Sequence, residues 1–216
     1  MDWIDLIKAR ETCFNWDYSK TISKEVVREV CQEVYDHLPT KNLKFPFQID
    51  IFDNTKDADI RKEIMTIFHR NQDMDMHKDK GNPQVLAPLL IAFSMRDVSD
   101  LEVIFQKETL RTYDEVVFTN NIEIGIVSTY FMLSFANRGI ATGLSQNCHD
   151  GPRVAELIGA NMPTILLMGV GYKSNSLTYH DPRTDNPKKP IPFPPSAVEV
   201  VYGKPDFDDI FIIRMI

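Results

Sequence analysis

The most informative pattern in the sequence is an apolar run within the stretch Asn120–Gln146. Residues 124–136 carry no charged side chain, and apolar residues fall on nearly every face of the helix that they would form. A helix that is apolar all round is buried in a soluble protein. We therefore predict a buried central helix, with Thr119 or Asn120 as its N-cap and Gly139 as its left-handed stop. The run is too short to cross a bilayer.

Periodicity predicts further elements on both sides of this helix. Helical spacing of apolar residues predicts helices at Trp3–Arg10, Ser23–Leu38, Asp57–Arg70 and Arg153–Gly159, with Asp2 and Ser23 as N-caps. Alternating or continuous apolar runs predict strands at Phe47–Ile51, Val85–Met95, Thr164–Val170 and Val198–Tyr202. Helices mixed with a few buried strands indicate an α+β or α/β sandwich of helices on a sheet. Since no repeat or linker divides the chain, we expect a single domain over residues 1–216.

Three stretches are interpreted as loops or tails. Gly169–Gly171 is interpreted as a turn after a strand, and the proline-rich segment Lys173–Ala197 as a long loop. Pro88 requires a strand end or a bulge within its predicted strand. The apolar tail Ile210–Ile216 would be costly to leave in water. We expect it to join a sheet edge, in its own subunit or in a partner.

Composition excludes some functions. The chain has 216 residues, of which 43% are hydrophobic and 25% charged, as in ordinary globular proteins. Its net charge of −7 argues against non-specific binding to nucleic acid or to an anionic membrane. Three widely spaced cysteines, Cys13, Cys31 and Cys148, suggest a reducing compartment without disulfides. The N-terminus lacks a signal-peptide pattern, so we expect a cytoplasmic location.

Metal-binding and nucleophile motifs do not stand out. The sequence has no nucleophile elbow, phosphate-binding glycine loop or dinucleotide fingerprint. Acidic residues and a histidine alternate in Asp73–Asp79, but a calcium loop needs Gly and Glu where Lys78 and Gln84 stand. This segment is therefore interpreted as a solvated loop. Cys148 and His149 have no second ligand pair nearby and are interpreted as structural.

The N-terminal pair Arg10 and Thr12 carries a possible binding chemistry. A guanidinium can grip a phosphate with two hydrogen bonds, and a hydroxyl two residues later can supply another donor. A lone arginine after a short helix is more often an ordinary surface residue. The hypothesis of a phosphate clamp therefore depends on the rest of the chain.

Several segments support this hypothesis by their order along nearly the whole chain. They are Arg10–Trp16, Pro39–Asn42 with Pro46 and Phe47, Asn82–Pro88, Glu123–Gly143, and Gly159–Pro163 followed by Gly169–Tyr172. Together they resemble the nitroreductase family of flavin mononucleotide (FMN) enzymes. Arg10–Trp16 resembles the family's opening Arg-Arg-Ser-x-Arg-x-Phe, and Pro39–Asn42 its Pro-Ser-x-x-Asn loop. Glu123–Gly143 resembles the core helix with the Gly-Leu-Gly-Thr turn that follows it.

The resemblance implies a fold and an assembly. It implies an α+β fold with a mainly antiparallel central sheet flanked by helices, and a long buried central helix at a dimer interface. Family members are homodimers with two flavins between the subunits. Their C-terminal tail, here about residues 204–216, commonly crosses to the sheet of the partner.

The resemblance also implies site residues and an activity. Arg10 and Thr12 would hold the flavin phosphate, with help from Lys188 or Lys189. The other matching positions are Pro39, Thr40 and Asn42, usually from the second subunit, and Gly143, Leu144 and Ser145 near the flavin ring. Phe14 stands where the family has a second basic residue, and the usual Pro-x-x-Glu-Gly near the ring is not found.

The implied reaction needs no catalytic side chain and no metal, because the flavin carries the chemistry. NAD(P)H would supply hydride, which passes through FMN to a nitro compound, a quinone or a similar electron-poor small molecule. The alternative is a protein with this fold that binds flavin or another ligand without redox turnover.

Overall fold

The structure is a computed structural model that describes residues 2–10, 12–13, 15–40, 45–53, 57–70, 84–97, 113–145, 150–174, 178–180 and 190–192. Within these ranges the helices are α1 (Trp3–Ala9), α2 (Lys24–His37), α3 (Ala58–Arg70), α4 (Tyr113–Asn137) and α5 (Gly151–Ile158). The strands are β1 (Phe47–Asp53), β2 (Leu89–Met95), β3 (Ala141–Ser145), β4 (Thr164–Gly171), β5 (Thr178–His180) and β6 (Pro190–Pro192).

Four strands form the central sheet, in the order β1-β2-β4-β3, and every neighbouring pair is antiparallel. Strand β2 is buried along its whole length because both faces of the sheet are covered. Leu89, Ile91 and Phe93 pack into one core with α2 and α4, whereas Leu90 and Ala92 pack into a second core with α3 and α5. The fold is therefore α+β with helices on both faces of an antiparallel sheet, as the resemblance predicted.

The predicted helix ends are mostly confirmed. Asp2 accepts a hydrogen bond from the backbone N–H of Asp5 at 2.8 Å, and Ser23 accepts one from Val26, so both residues cap their helices. Gly139 has a φ of 67° and ends α4, with the N–H of Ile140 bonded to the carbonyl of Phe135. This is the left-handed stop that a glycine permits.

The predicted N-cap of the central helix is wrong. Helix α4 begins at Tyr113, so Thr119 and Asn120 lie inside it. The Thr119 hydroxyl donates to the carbonyl of Glu115 at 2.8 Å, which lets a typical capping residue sit within a helix. Asp114 and Glu115 in the first turn favour the earlier start because they complement the helix dipole.

Strand boundaries differ from the predicted ones at three places. Residues 84–88 form a turn, and β2 starts directly after Pro88, which is the strand end that this proline required. Strand β4 continues through Gly171, so Gly169–Gly171 is strand rather than turn. The resemblance implies a turn over Gly139–Gly143, but its last three residues belong to the edge strand β3, Ala141–Ser145.

The C-terminal part of the chain is only partly described. The segment 173–197 is not one long loop, because β5 and β6 pair within it as a separate antiparallel hairpin. The predicted strand Val198–Tyr202, the tail Ile210–Ile216 and the loop Asp73–Asp79 lie outside the described residues. In the part of the chain that is described, no helix is long and apolar enough to cross a membrane.

Candidate functional site

The segment after α1 is fixed to the edge of the sheet by backbone hydrogen bonds. Thr12 forms an isolated parallel bridge with Thr142 of β3, and the Cys13 N–H donates to the Thr142 carbonyl at 2.8 Å. Further along, the Asp17 N–H donates to the carbonyl of Tyr172, just after β4, at 2.8 Å. The backbone of Thr12 therefore has a defined position beside β3.

Arg10 and Thr12 present polar groups at this edge. Arg10 is half-buried and ends α1, and its guanidinium makes no hydrogen bond or ion pair with the other described residues. The Thr12 side chain is exposed. A free guanidinium and an exposed hydroxyl two residues apart are the donors that a phosphate would require.

Asp17, seven residues after Arg10, forms its ion pair with Lys20. Hydrogen bonds from Ser19 and from Lys20 lower the pKa of the Asp17 carboxyl, and the Lys20 ammonium lies 3.2 Å from it. Asp17 is thus ionised at neutral pH, with its own cation beside it. Asp17 therefore pairs with Lys20 and does not neutralise the charge of Arg10.

Gly143 of β3 faces the N-terminal segment closely. A Cβ atom at this position would lie 2.5 Å from the carbonyl oxygen of Cys13 and 3.2 Å from the side-chain nitrogen of Gln84. Only glycine fits such an approach without movement of the backbone. The predicted positions Gly143 and Ser145 are buried, and Leu144 is half-buried against the main core.

Edge strand β3 has backbone groups that the sheet does not use. The carbonyl of Thr142 points away from β4, since it accepts from Cys13. Backbone direction alternates along a strand, so the N–H and carbonyl of Leu144 also point outward. These groups are suited to hydrogen bonding with a planar heterocycle placed beside β3.

Gln84 belongs to this site and was not predicted from the sequence. It is buried, and its carboxamide lies against Gly143. The sequence shows only that Gln84 immediately precedes the apolar run Val85–Met95, which does not mark it as a site residue. Its closeness to β3 depends on strand pairing between distant segments, which the sequence pattern does not reveal.

Pro39 and Thr40 lie at the opposite edge of the sheet. The Thr40 hydroxyl accepts from the backbone N–H of Phe45 at 3.3 Å, and the Phe45 ring contacts Phe47 of β1. Strands in a sheet are about 4.8 Å apart, so β1 and β3, which are separated by two strands, are roughly 14 Å apart. One subunit therefore does not bring Thr40 together with Thr12.

An apolar groove of about 370 Å³ lies beside the Pro39–Thr40 loop. It is lined by residues of α2, β1 and α4, among them Tyr35, Phe47, Ile51 and Phe131, and also by Leu38 and Phe45, which lie between α2 and β1. Its lining includes the polar residues Arg28 and Gln32 but neither Arg10 nor Thr12. Because Arg10 and Thr12 are the pair that the sequence suggests for the phosphate, we place the candidate site at β3.

Three predicted site residues, Asn42, Lys188 and Lys189, lie outside the described residues. The described ranges contain no group of three or more His, Cys, Asp or Glu side chains that could hold a metal ion. Among the described residues, Cys13 and Cys31 form no disulfide.

Comparison with known proteins gives matches by structure and none by sequence. Neither sequence models of protein families nor curated protein sequences match this chain. A nitroreductase family protein from Streptococcus pneumoniae matches with a TM-score of 0.66 and 15% identity, over 99% of this chain and 100% of that one. The chain has the nitroreductase fold.

Other nitroreductase-fold structures match over most of this chain. The NADPH:FMN oxidoreductase of Vibrio harveyi, solved with NAD⁺, has a TM-score of 0.62 and 16% identity, over 96% of this chain and 80% of its own. An FMN-dependent nitroreductase of Mycobacterium smegmatis, solved with NADPH, has a TM-score of 0.59 and 13% identity, over 80% of this chain and 87% of its own. At such identities the likeness is one of fold.

Proposed function

We propose that this protein is an FMN-dependent oxidoreductase that passes hydride from NAD(P)H through flavin to a nitro compound, a quinone or a similar electron-poor molecule. The observation that carries the proposal is the position of Arg10 and Thr12, whose segment is bonded to edge strand β3 of a nitroreductase fold. Two proteins with this fold are, by description, FMN enzymes that were solved with nicotinamide nucleotides.

The residues at β3 fit FMN chemically. The Arg10 guanidinium would hold the phosphate with two charge-assisted hydrogen bonds, and the Thr12 hydroxyl would donate a third. Lys188 and Lys189 are further candidates from the sequence for the same phosphate. The outward N–H of Leu144 would donate to the polar edge of the flavin ring, beside the buried Gly143 and Ser145.

The protein residues would bind and orient the reactants rather than take part in bond formation. When bound, FMN supplies hydride acceptance from a nicotinamide and hydride donation to an oxidant. Gly143 allows the N-terminal segment and Gln84 to approach β3 closely. The N-terminal segment and Gln84 are thereby fixed beside β3, on one side of the position proposed for the flavin ring.

The proposal includes a homodimer. Thr12 and Thr40 lie at opposite edges of the sheet, so a site that uses both needs two subunits. Helices α1 and α4 are neighbours, and each carries exposed large apolar side chains. These are Trp3, Ile4 and Ile7 on α1, and Phe118 and Ile122 on α4. Such surfaces on adjacent helices suit an interface between subunits.

An absorption spectrum tests the activity most directly. The purified protein, loaded with FMN and freed of excess flavin, should show the absorbance of oxidised flavin, and NADH or NADPH should bleach it without oxygen. A quinone or nitroarene should then restore the absorbance. Retained flavin that neither nucleotide bleaches would favour the alternative, binding without turnover, which the missing Pro-x-x-Glu-Gly motif also favours. A protein that retains no flavin would overturn the proposed activity and would leave only the binding of another ligand.

A further inference from the structure

The turn that precedes β2 is held by hydrogen bonds to all of its carbonyls. Arg61 of α3 donates to the carbonyl oxygens of Val85 and Ala87, and to that of Pro88 at 3.2 Å. The Tyr18 hydroxyl donates to the Leu86 carbonyl at 2.7 Å. Within the turn, the Ala87 N–H donates to the Gln84 carbonyl at 3.3 Å. The positions of five consecutive carbonyl groups are therefore fixed, four of them by two side chains from other elements.

Arg61 is an unusual residue to find in this position. Its side chain is only 4% exposed, and burial lowers the pKa of its guanidinium to about 10, so it remains charged at neutral pH. Nearby Tyr18, Asp53 and Asp57 oppose that lowering. A buried charge is costly unless hydrogen bonds compensate it, and a planar guanidinium can reach several carbonyls at once. The carbonyls of the turn provide this compensation.

The turn at residues 84–88 packs closely against β4 and, through Gln84, against β3 of the candidate site. A Cβ at Gly169 of β4 would lie 2.5 Å from the Gln84 carbonyl oxygen, and one at Gly171 would lie 2.7 Å from the Pro88 ring. The side chain of Gln84 then extends to Gly143 of β3. A continuous chain of contacts thus runs from Arg61 through the turn and Gln84 to β3.

We propose that Arg61 is a positioning residue of the flavin site, which acts through the turn 84–88 to fix Gln84 against β3. The inference rests on the proposed binding of FMN at β3. Arg61 would not contact the flavin itself. It would fix the part of the site beside the flavin ring, whereas Arg10 would bind the phosphate. The two arginines should therefore differ in their effects on FMN and on riboflavin, which lacks the phosphate.

Titration of the purified protein with each flavin tests this role. Arg61→Lys keeps the charge but lacks the planar fork whose two nitrogens reach the three carbonyls, so FMN and riboflavin should each bind about tenfold more weakly, the equivalent of roughly one lost hydrogen bond. Arg153→Lys is a matched control, because Arg153 is an exposed arginine that pairs with Glu156 on α5. It should leave both affinities unchanged.

A double-mutant cycle separates positioning from general stability. If Arg61 acts through Gln84, then adding Arg61→Lys to a Gln84→Ala variant should cause little further loss of affinity for either flavin. Losses that multiply in full, or a folded Arg61→Lys variant with unchanged affinity for both flavins, would overturn the inference. If the parent protein binds neither flavin, the proposed function itself fails first.

A milder change covers the case in which Arg61→Lys does not fold. Tyr18→Phe removes only the hydroxyl that holds the Leu86 carbonyl. The variant should keep a cooperative thermal transition. Its affinity for FMN and its affinity for riboflavin should both fall by about threefold to tenfold. Unchanged affinity for both flavins in a folded Tyr18→Phe variant would contradict the positioning role of the turn.

Discussion

Arg10 is the side chain on which recognition of the flavin phosphate should depend most. Phe14 stands at the usual position of a second basic residue, so fewer charges share the task. A hydrogen bond to a charged group is worth about 1.5–3 kcal/mol, which is roughly tenfold to a hundredfold in affinity. Arg10→Ala should weaken FMN by that factor and leave riboflavin almost unchanged, as measured by calorimetry. Arg10→Lys should fall between the parent and Arg10→Ala because it keeps the charge without the bidentate grip. Equal losses for both flavins would show that Arg10 is structural.

Two glycines are required for different physical reasons, which substitutions can separate. Gly139 has open space around it but a φ of 67°, so Gly139→Ala should lose about 1 kcal/mol of unfolding free energy, whereas Gly139→Asn should lose less. At Gly143 an added Cβ meets the Cys13 carbonyl at 2.5 Å. Gly143→Ala should therefore lose about 1–3 kcal/mol, and Gly143→Asn should be no better. Urea unfolding of the four variants measures this. Rescue by asparagine at Gly143 would refute the steric explanation.

The individual residues of the site were predictable only where the signal was local. Arg10 and Thr12 could be proposed because a guanidinium and a hydroxyl two residues apart are a recognisable donor pair. Gln84 and Arg61 could not, because their roles arise from contacts with Gly143 and with the turn before β2, far away in sequence. A buried arginine inside an amphipathic helix has no sequence signature of its own.

At the scale of elements, a polar network joins α2 to the end of α4. The Glu33 carboxylate accepts hydrogen bonds from Arg138 at 2.7 Å and from the Ser134 hydroxyl at 2.9 Å. Partial burial of Glu33 opposes ionisation, but these bonds, with the nearby charges of Arg138 and His37, lower the pKa of its carboxyl. The network fixes α2 against the helix that fills the centre of the fold.

This network should make stability depend on pH. A folded-state pKa below the ordinary value near 4.5 means that the contribution is fully present above that pH and is lost as pH falls through the folded pKa. Because Glu33 is partly exposed, Glu33→Gln should lower the unfolding free energy at pH 7 by only about 0.5–1 kcal/mol. The difference from the parent should shrink as pH falls below 4.5 and disappear once the folded carboxyl is protonated. A difference that does not change as pH falls would mean that the charge is not responsible.

Helices and strands were largely predictable because periodicity and capping are local. Ser23 and Gly139 mark their helix ends by side-chain chemistry and by backbone freedom, respectively. The start of α4 was missed because Thr119 and Asn120 are good caps that also occur inside helices. Strand β3 was missed because Ala141–Ser145 is short, contains a glycine, and pairs with β4 only in the folded sheet.

At the scale of the whole molecule, the sheet order separates two groups of predicted site residues. No sequence pattern specifies that β1 and β3 are opposite edges, since this follows from the order β1-β2-β4-β3. The sequence pattern also does not show which face of α4 packs inside the subunit, because this helix is apolar all round. Phe131 and Phe135 of this helix are 2% and 0% exposed and pack inside the subunit, with Phe131 against Phe93. Charges there should prevent folding and would not report on assembly.

The exposed face of α4 provides a sharper test of the dimer. Phe118 and Ile122 are 68% and 50% exposed in the single subunit, so an added charge there meets water unless a partner covers it. Phe118→Glu and Ile122→Glu should each leave the monomer folded but weaken the dimer, because an unpaired charge buried in an interface costs several kcal/mol.

Sedimentation velocity over a range of concentrations measures the change, and circular dichroism confirms the fold. Glu63→Gln, at an exposed position of α3 on the other face of the sheet, is the control and should leave assembly unchanged. Since Thr12 and Thr40 could then no longer meet across subunits, the two charged variants should also retain less FMN than the parent. A parent that sediments as a monomer, or charged variants that remain fully dimeric, would exclude this face as the interface. Thr40 would then not be expected to contact the flavin through this interface.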